Sequence, residues 1–288
     1  MTDRNISSLN LFTGEEHKPF LWEGGEPVAL FIHGFMGTPA EFRPLASEFH
    51  QQGWTAQGLL LPGFGEQIDT LFERRWSEWT DAVREAIVEL KNRHKPLLLV
   101  GYSMGAAVAM NVAADTAVNG LALLAPFWRI GTTLQQVIWQ VFKQIMPQPK
   151  PFKKADFSDP RFHEFFDKTM PELDIADPLV QTVLRQLRVP TRFVDQVFAV
   201  GRAAEQAAAD VLVPIHIVQG TEDEAVKPER TRQLLQRLHG PVTYEELVTD
   251  HGLVEISNPG FDQMTQSVLR YAGRLVAPEL QDLADTKL

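Results

Sequence analysis

The sequence predicts an α/β fold with a mostly parallel, doubly wound sheet and a helical block inserted into it. Short apolar strands alternate with helical segments up to residue 126, which is the alternation that builds parallel sheets from βαβ units. Residues 127–210 contain no convincing strand and are typical of helices joined by prolines. The alternation resumes afterwards, so we divide the chain into a core of residues 1–126 and 211–288 and an inserted cap of residues 127–210.

The core elements follow in order along the chain. After a weak extended signal at residues 20–22, apolar runs predict strands at residues 27–35, 55–61, 96–103, 120–125, 214–220 and 242–248. A helix over residues 39–52 begins with Thr38 as its N-cap and Pro39 in its first turn. Further helices are predicted at residues 76–94, directly after residue 103, and at residues 228–239 and 259–276, and a solvated tail at residues 277–288.

The composition excludes several classes of function. A net charge of -10 argues against nucleic acid as a partner, because binding to phosphates needs clustered Lys and Arg. The absence of cysteine excludes disulfides and thiolate chemistry. The N-terminal residues lack a basic start followed by an apolar stretch, and no apolar run approaches about 18 residues. We therefore expect no signal peptide, no stable membrane insertion and a cytoplasmic protein.

The most informative motif is residues 101–105, Gly-Tyr-Ser-Met-Gly, which lie between an apolar strand and a run of small helical residues. A Gly-x-Ser-x-Gly turn in this context is typical of a nucleophile elbow, where a strained turn lifts a serine hydroxyl above the edge of a parallel sheet. Ser103 is therefore the candidate nucleophile, and such a serine needs a base that is itself held by an acid.

The late strands supply a candidate base and acid. His251 follows the last predicted strand and precedes Gly252, so we interpret it as the base. Asp223 follows the strand at residues 214–220 within a Gly-x-x-Asp-x-x-Val pattern, and we favour it as the acid. Its acidic neighbours remain alternatives, although a carboxylate adjacent to His251 in sequence is poorly placed to reach the imidazole Nδ1. These alternatives are Glu222, Glu224 and Asp250.

Acyl transfer also requires two donors for the developing oxyanion. The N–H of Met104, directly after the serine, is one candidate, and the N–H of Phe35, in the glycine turn that follows residues 27–32, is the other. We expect His33 to support this loop by hydrogen bonding. The His, Asp and Glu residues show no metal-ligand spacing, so we expect neither a metal nor a cofactor.

Together these residues resemble the α/β-hydrolase superfamily, and most of all its bacterial carboxylesterases and monoacylglycerol lipases. The resemblance covers residues 27–275 and implies Ser103, Asp223 and His251 as the catalytic triad, with Phe35 and Met104 as oxyanion donors. It also implies that the inserted block covers the active site. The matching motifs are residues 33–37 (His-Gly-Phe-Met-Gly), 61–65 (Leu-Pro-Gly-Phe-Gly), 101–105, 220–226 (Gly-Thr-Glu-Asp-Glu-Ala-Val) and 250–252 (Asp-His-Gly).

The inserted block carries an apolar stripe at helical spacing over residues 132–146. We favour the interpretation that this stripe seats the cap on the core; lining an acyl pocket is the second interpretation and a membrane-surface role the third. Phe127, Trp128 and Ile138 are the candidate substrate-binding residues.

The leading functional hypothesis is a serine hydrolase acting on a small-molecule ester with an apolar acyl group, such as a medium-chain ester or a monoacylglycerol. Hydrolysis of a thioester or of a carbon–carbon bond by the same triad is an alternative. A non-catalytic ligand-binding protein on the same fold is an alternative of another class.

Overall fold

A computed structural model describes residues 9, 11–129, 133–170 and 173–277. Over these ranges seven strands form one sheet in the order β1-β3-β2-β4-β5-β6-β7, in which β1 is antiparallel to β3 and every other neighbouring pair is parallel. The prediction of a mostly parallel sheet is confirmed. The strands are β1 (Phe20–Trp22), β2 (Val28–Ile32), β3 (Thr55–Leu59), β4 (Leu97–Tyr102), β5 (Gly120–Leu124), β6 (Ile215–Gly220) and β7 (Val242–Leu247).

The described helices lie between and after these strands. They are α1 (Arg43–Gln51), α2 (Trp76–Leu90), α3 (Met104–Ala113), α4 (Thr133–Ile145), α5 (Pro160–Thr169), α6 (Pro178–Gln186), α7 (Thr191–Ala207), α8 (Pro228–Leu235) and α9 (Phe261–Val276). The helix predicted at residues 39–52 is divided into a 3-10 turn, Pro39–Phe42, and α1. Its predicted cap is present, since the Thr38 hydroxyl accepts a hydrogen bond from the Ala40 N–H. Of the predicted tail, residues 278–288 lie outside the described residues.

The sheet is covered on both faces, which explains why its central strands are continuous apolar runs. In β2, Leu30 belongs to the buried cluster that includes residues of α2 and α3, whereas its neighbour Phe31 belongs to the cluster formed with α1 and α9. Successive side chains of a strand point to opposite faces. Both faces are therefore apolar, as expected for a doubly wound fold.

Helices α4–α7 all lie between β5 and β6. The last of them, α7, packs on the core helix α3: Val200 and Ala204 are fully buried, and the side-chain amide of Asn111 donates to the Val200 carbonyl at 3.2 Å. The inserted segment is therefore anchored to the core through its C-terminal helix. Within the described residues, no helix combines the length and the apolar character needed to cross a membrane.

Candidate active site

Ser103 lies in a sharp turn between β4 and α3. Its backbone has φ 51° and ψ -115°, a positive φ that a residue with a side chain adopts only under strain. A Cβ atom on Gly105 would overlap the Ile32 carbonyl oxygen, and one on Gly101 would lie 2.6 Å from the Gly105 carbonyl oxygen. Close backbone contact therefore requires both glycines of the motif.

The turn is fastened to the neighbouring strand by backbone hydrogen bonds. The Ser103 N–H donates to the Leu124 carbonyl at 2.9 Å, and the Ser103 carbonyl accepts from the Phe127 N–H at 3.1 Å. Leu124 ends β5, so the two bonds hold the strained turn against the adjacent strand end. Ser103 is thus presented at the carboxyl edge of the sheet.

The three residues predicted as a triad are in contact. The Nε2 atom of His251 lies 3.1 Å from the Ser103 hydroxyl, and its Nδ1 atom lies 2.7 Å from Oδ2 of Asp223. Asp223 is only 2% exposed. This geometry allows a proton to move from the serine hydroxyl to Nε2, with the carboxylate holding the other ring nitrogen.

The neighbouring carboxylates have other surroundings. Oδ1 of Asp223 accepts from the N–H groups of Ala225 and Val226 at 2.9 and 2.7 Å, which turns Oδ2 toward His251. Glu222 and Glu224 are exposed. The loop after β7 uses Asp250 for its own shape, since Oδ1 of Asp250 accepts from Gly252 N–H and the Asn258 amide.

Sequence reasoning missed a buried glutamine that supports Asp223. Gln219 is fully buried, and its amide nitrogen lies 3.1 Å from Oδ2 of Asp223 and 3.0 Å from the Val226 carbonyl. The Gln219 carbonyl in turn accepts from the Thr231 hydroxyl at 2.6 Å. The available signal was a polar residue near the end of the buried strand β6.

Tyr102 contacts both the backbone and the ring of His251. Its hydroxyl donates to the His251 carbonyl at 2.9 Å, and its ring lies 5.1 Å from the imidazole ring. Burial, with a smaller contribution from the negative charge of Glu41, raises the pKa of Tyr102 well above its usual value. The hydroxyl therefore stays protonated as a donor at neutral pH.

His33 connects two loops at the carboxyl edge. Its Nε2 accepts from the Leu61 N–H at 3.1 Å, so Nδ1 carries the proton and donates to the Gly34 carbonyl at 2.8 Å. Burial lowers the pKa of His33 to about 4, which keeps the ring neutral. The expected supporting role of His33 is confirmed.

Phe35 and Met104 both line the cavity that contains Ser103 and His251. Within the described part of the chain, neither backbone N–H donates to a protein acceptor. Met104 begins α3, where the first N–H groups of a helix have no intrahelical acceptor. The two amides are thus available to a ligand.

The cavity above Ser103 has a volume of about 580 Å³ and a predominantly apolar lining. Phe127, one of the predicted substrate-binding residues, lies in this lining. The inserted segment contributes a larger apolar set, which includes Phe152, Phe166, Met170, Leu184, Phe193 and Phe198.

Trp128 and Ile138, the other two predicted substrate-binding residues, lie outside the cavity lining. Trp128 is buried instead beside α8, where its Nε1 donates to the Arg230 carbonyl at 3.1 Å. Ile138 is 58% exposed on α4. Chain proximity to β5 and helical spacing, which suggested these two residues, do not specify the direction in which a side chain points.

The favoured interpretation of the apolar stripe was also wrong for its described side chains. Helix α4 contacts α7 through Trp139 and Lys143, whose Nε1 and Nζ donate to the Asp195 carboxylate at 2.9 and 2.8 Å, and the Trp139 ring lies 5.6 Å from that of Phe198. The stripe residues on the solvent side are Ile138, Val141, Phe142, Ile145 and Met146, which are 37–78% exposed. The side chains of Leu134 and Val137, which belong to the same stripe, lie outside the described residues.

Residues 26–251 match the sequence model of a family described as serine aminopeptidase, S33 (Hydrolase_4). The chain belongs to this α/β-hydrolase family. It is 21% identical over 235 residues to a carboxylesterase of Bacillus subtilis, covering 81% of this chain and 83% of that enzyme. It is 32% identical over 96 residues to a thermostable monoacylglycerol lipase of Bacillus sp. strain H-257; this match spans 33% of the chain and only 38% of the lipase.

A solved structure of the metagenome-derived lipolytic enzymes LipS and LipT has the same fold, with a TM-score of 0.71 and 19% identity over 90% of this chain and 98% of that chain. These comparisons confirm the fold class and the superfamily that the motifs predicted. The protein is thus a member of a hydrolase family whose relatives include an esterase and a lipase.

Proposed function

We propose that this protein is a serine hydrolase that cleaves carboxylic esters, with medium-chain acyl esters or monoacylglycerols as its substrates. The observation that supports this most strongly is the unbroken contact from Asp223 through His251 to Ser103 at an apolar cavity. A serine hydroxyl is a weak nucleophile until an oriented base takes its proton. The observed distances fit that requirement.

In the first half of the reaction, Oγ of Ser103 attacks the ester carbonyl carbon while Nε2 of His251 takes the hydroxyl proton. Asp223 stabilises the resulting imidazolium through Nδ1. The carbonyl oxygen becomes negative and accepts hydrogen bonds from the N–H groups of Phe35 and Met104. The dipole of α3 favours the same negative charge, because Met104 is the first residue of that helix.

The tetrahedral intermediate then collapses. The bond between the carbonyl carbon and the alcohol oxygen breaks, and His251 gives its proton to the departing oxygen, leaving the acyl group on Ser103. A water molecule then attacks the carbonyl carbon of this acyl-enzyme while His251 accepts a proton from the water. Breakage of the bond to Ser103 releases the carboxylic acid and returns the proton to Oγ.

The apolar lining supports an apolar acyl group. Each methylene transferred from water into such a cavity contributes about 0.8 kcal/mol, equivalent to about fourfold in affinity. The aromatic and aliphatic side chains of the inserted segment supply this surface, while polar groups from the core loops surround the ester.

A fluorophosphonate probe tests the nucleophile directly. We expect covalent labelling of the wild type and of Ser47→Ala, which changes a serine of α1 outside the cavity lining, and no labelling of Ser103→Ala. Labelling that persists in Ser103→Ala would contradict the assignment. A folded wild type that takes up no probe would favour the non-catalytic ligand-binding alternative.

The substrate class is tested by kcat/KM on p-nitrophenyl esters of increasing acyl length, with a monoacylglycerol alongside. We expect the rate constant to rise about fourfold per methylene until the cavity is filled and then to fall. A series without dependence on chain length would argue against an acyl pocket. Faster turnover of matched thioesters than of the esters would favour the thioesterase alternative.

A further inference from the structure

The turn that carries the Phe35 N–H has a strained backbone. The Gly37 N–H donates to the Gly34 carbonyl at 3.2 Å, which closes a four-residue turn with Phe35 and Met36 at its two central positions. Met36 has φ 64°, and glycine usually occupies this position of a turn when φ is positive there. A strained backbone persists only where the surrounding structure holds it in place. The position of this amide therefore depends on contacts outside the turn.

The ring of Phe35 makes contacts that hold the turn from two sides. It lies edge-on to the ring of Phe64, with the two centroids 6.3 Å apart, and its centroid lies 6.0 Å from that of Phe193. Phe64 is fully buried in the core. Phe193 belongs to α7 of the inserted segment and is 3% exposed. The ring of Phe35 thus connects the turn to both the core and the inserted segment.

Phe193 has a defined position because the start of α7 is fastened to the core. The ring of Phe193 lies 5.2 Å from that of Phe72, which belongs to the 3-10 segment Gly65–Glu73. One turn further along α7, Oε1 of Gln196 accepts from the Trp76 N–H at 3.2 Å. A side chain that is fixed in this way can restrain the neighbouring ring of Phe35.

The restraint matters for the chemistry because an oxyanion donor has to lie at hydrogen-bond distance from the developing charge. Aromatic pairs at these distances stabilise a structure beyond the area that they bury. Loss of one of the two pairs would let the turn relax toward an unstrained backbone and would move the Phe35 N–H relative to Ser103. A displacement of about 1 Å can reduce a rate about a hundredfold.

We infer that Phe193 is a positioning residue, which holds the Phe35 N–H where the oxyanion of the reaction forms. The inserted segment would then take part in the chemical step as well as in binding the acyl chain. The inference rests on the proposed ester hydrolysis. A residue that only lines the acyl pocket affects long acyl chains most, whereas a residue that positions the oxyanion donor affects every ester equally.

The first test compares kcat/KM for p-nitrophenyl acetate and p-nitrophenyl octanoate in the wild type and three variants. We expect Phe193→Leu to lose about 10- to 100-fold on both esters, because each needs the same oxyanion donor. Phe152→Leu changes a cavity residue whose ring contacts Phe162 and Phe166 instead, so its effect should differ between the two esters. Phe142→Leu, on the exposed side of α4 and outside the cavity lining, is the matched control and should keep both wild-type values.

Inhibition by 1,1,1-trifluoroacetone tests the oxyanion site without an acyl chain. Oγ of Ser103 adds to its carbonyl carbon, the hydroxyl proton passes to Nε2 of His251, and the carbonyl oxygen becomes an oxyanion beside the N–H groups of Phe35 and Met104. We expect the inhibition constant to rise in Phe193→Leu by about the factor that is lost in kcat/KM. A loss of folded enzyme would lower the activity without changing this constant.

Phe35→Leu removes the other ring of the pair from an exposed position, so it provides a second variant if Phe193→Leu does not fold. We expect it to lose a similar factor on both esters. In the double variant the loss should be smaller than the product of the two single losses, because both substitutions remove the same contact.

The outcomes separate this inference from the proposed function. A loss in Phe193→Leu that grows with acyl length, or an unchanged inhibition constant, would mean that Phe193 only lines the acyl pocket, and ester hydrolysis would still stand. Losses that multiply in the double variant would also overturn the inference, since the two rings would then act separately. A folded wild type that hydrolyses neither ester and takes up no fluorophosphonate would overturn the proposed function and the inference together.

Discussion

The loops around Ser103 and the helix α4 differ in how their side chains are partnered. In the loops, both oxygens of Asp223 and both ring nitrogens of His33 and His251 have partners at 2.7–3.1 Å. Helix α4 instead directs polar groups toward Asp195 on α7 and leaves Ile145 78% exposed. Hydrogen bonds thus fix the position of these polar atoms in the loops, whereas helix α4 leaves apolar side chains in contact with solvent.

The difference has a physical basis. Hydrogen bonds in the loops are short and directional, so they demand particular residue types at particular positions. Apolar contacts are non-directional, and their contribution depends mainly on the apolar area removed from water. We therefore expect substitutions in the loops to have larger and more specific effects than substitutions on the outer face of α4.

The largest expected effect is that of Asp223→Asn. The amide cannot hold His251 in the required tautomer or stabilise the imidazolium, so kcat should fall on the order of 10⁴-fold. The measurement is turnover of a p-nitrophenyl ester, with the fold checked by circular dichroism. Glu222→Gln is the control, because Glu222 is exposed. Comparable turnover in Asp223→Asn would move the acid to another carboxylate.

Lowering the pH should decrease the free energy of unfolding, because His33 is buried in its neutral form. Burial lowers its pKa in the folded protein to about 4, below the value of about 6.5 expected when unfolded. The unfolded chain thus binds the proton more readily, so this contribution is complete above pH 6.5 and declines as the pH falls toward 4, by about 3 kcal/mol in total. Urea denaturation at several pH values measures it. In His33→Gln the free energy of unfolding should fall less steeply as the pH is lowered. A pH dependence equal to that of the wild type would argue against a neutral, buried His33.

Gln219→Leu tests the hydrogen bonds that hold Asp223 in place. It removes the donor to Asp223 and the acceptor for Thr231, and buried polar groups left without partners cost about 1–3 kcal/mol. We expect a loss of that size in the free energy of unfolding, together with a lower kcat. Thr231→Val removes one of these bonds and should have a smaller effect. Full stability in Gln219→Leu would show that the glutamine fills space only.

A pair of substitutions compares α7 with α4. Val200→Ala removes buried methyl groups where α7 packs on α3 and should cost about 2 kcal/mol in the free energy of unfolding. Ile145→Ser changes an exposed side chain of α4 and should stay within about 0.5 kcal/mol. Both values come from chemical denaturation. A loss in Ile145→Ser as large as that in Val200→Ala would mean that the α4 face is covered in solution.

The smallest expected effect is that of Phe152→Ala on the acyl length at which kcat/KM is highest. Phe152 lines the cavity and packs its ring 5.6 Å from that of Phe166. Phe152→Ala enlarges the apolar end, so the longest acyl chain accommodated should increase, with about a fourfold gain in kcat/KM for each further methylene that becomes buried. The ester series measures this shift. An unchanged optimum would indicate that Phe152 does not limit the chain.

The sequence by itself predicted the parallel sheet, the elbow at Ser103 and the loops that bring Asp223 and His251 to it. These features are local: an apolar run identifies a buried strand, and close backbone contact restricts residues 101 and 105 to glycine. The sequence favours Asp223 as the acid but does not exclude Glu222, Glu224 or Asp250. Burial and hydrogen bonds distinguish Asp223 from the other three.

The residues that surround the triad are determined by how distant parts of the chain pack together. The Tyr102 hydroxyl contacts His251, which lies far along the chain, and Gln219 supports the Asp223 carboxylate against the same histidine, so these contacts depend on the fold that brings the loops together. The direction of the α4 stripe was decided in the same way, since helical spacing shows which residues share a face but not which surface that face meets. Contacts with residues distant in sequence determine which face is buried. Here Trp139 and Lys143 of α4 bind the Asp195 carboxylate of α7, and the apolar stripe faces solvent.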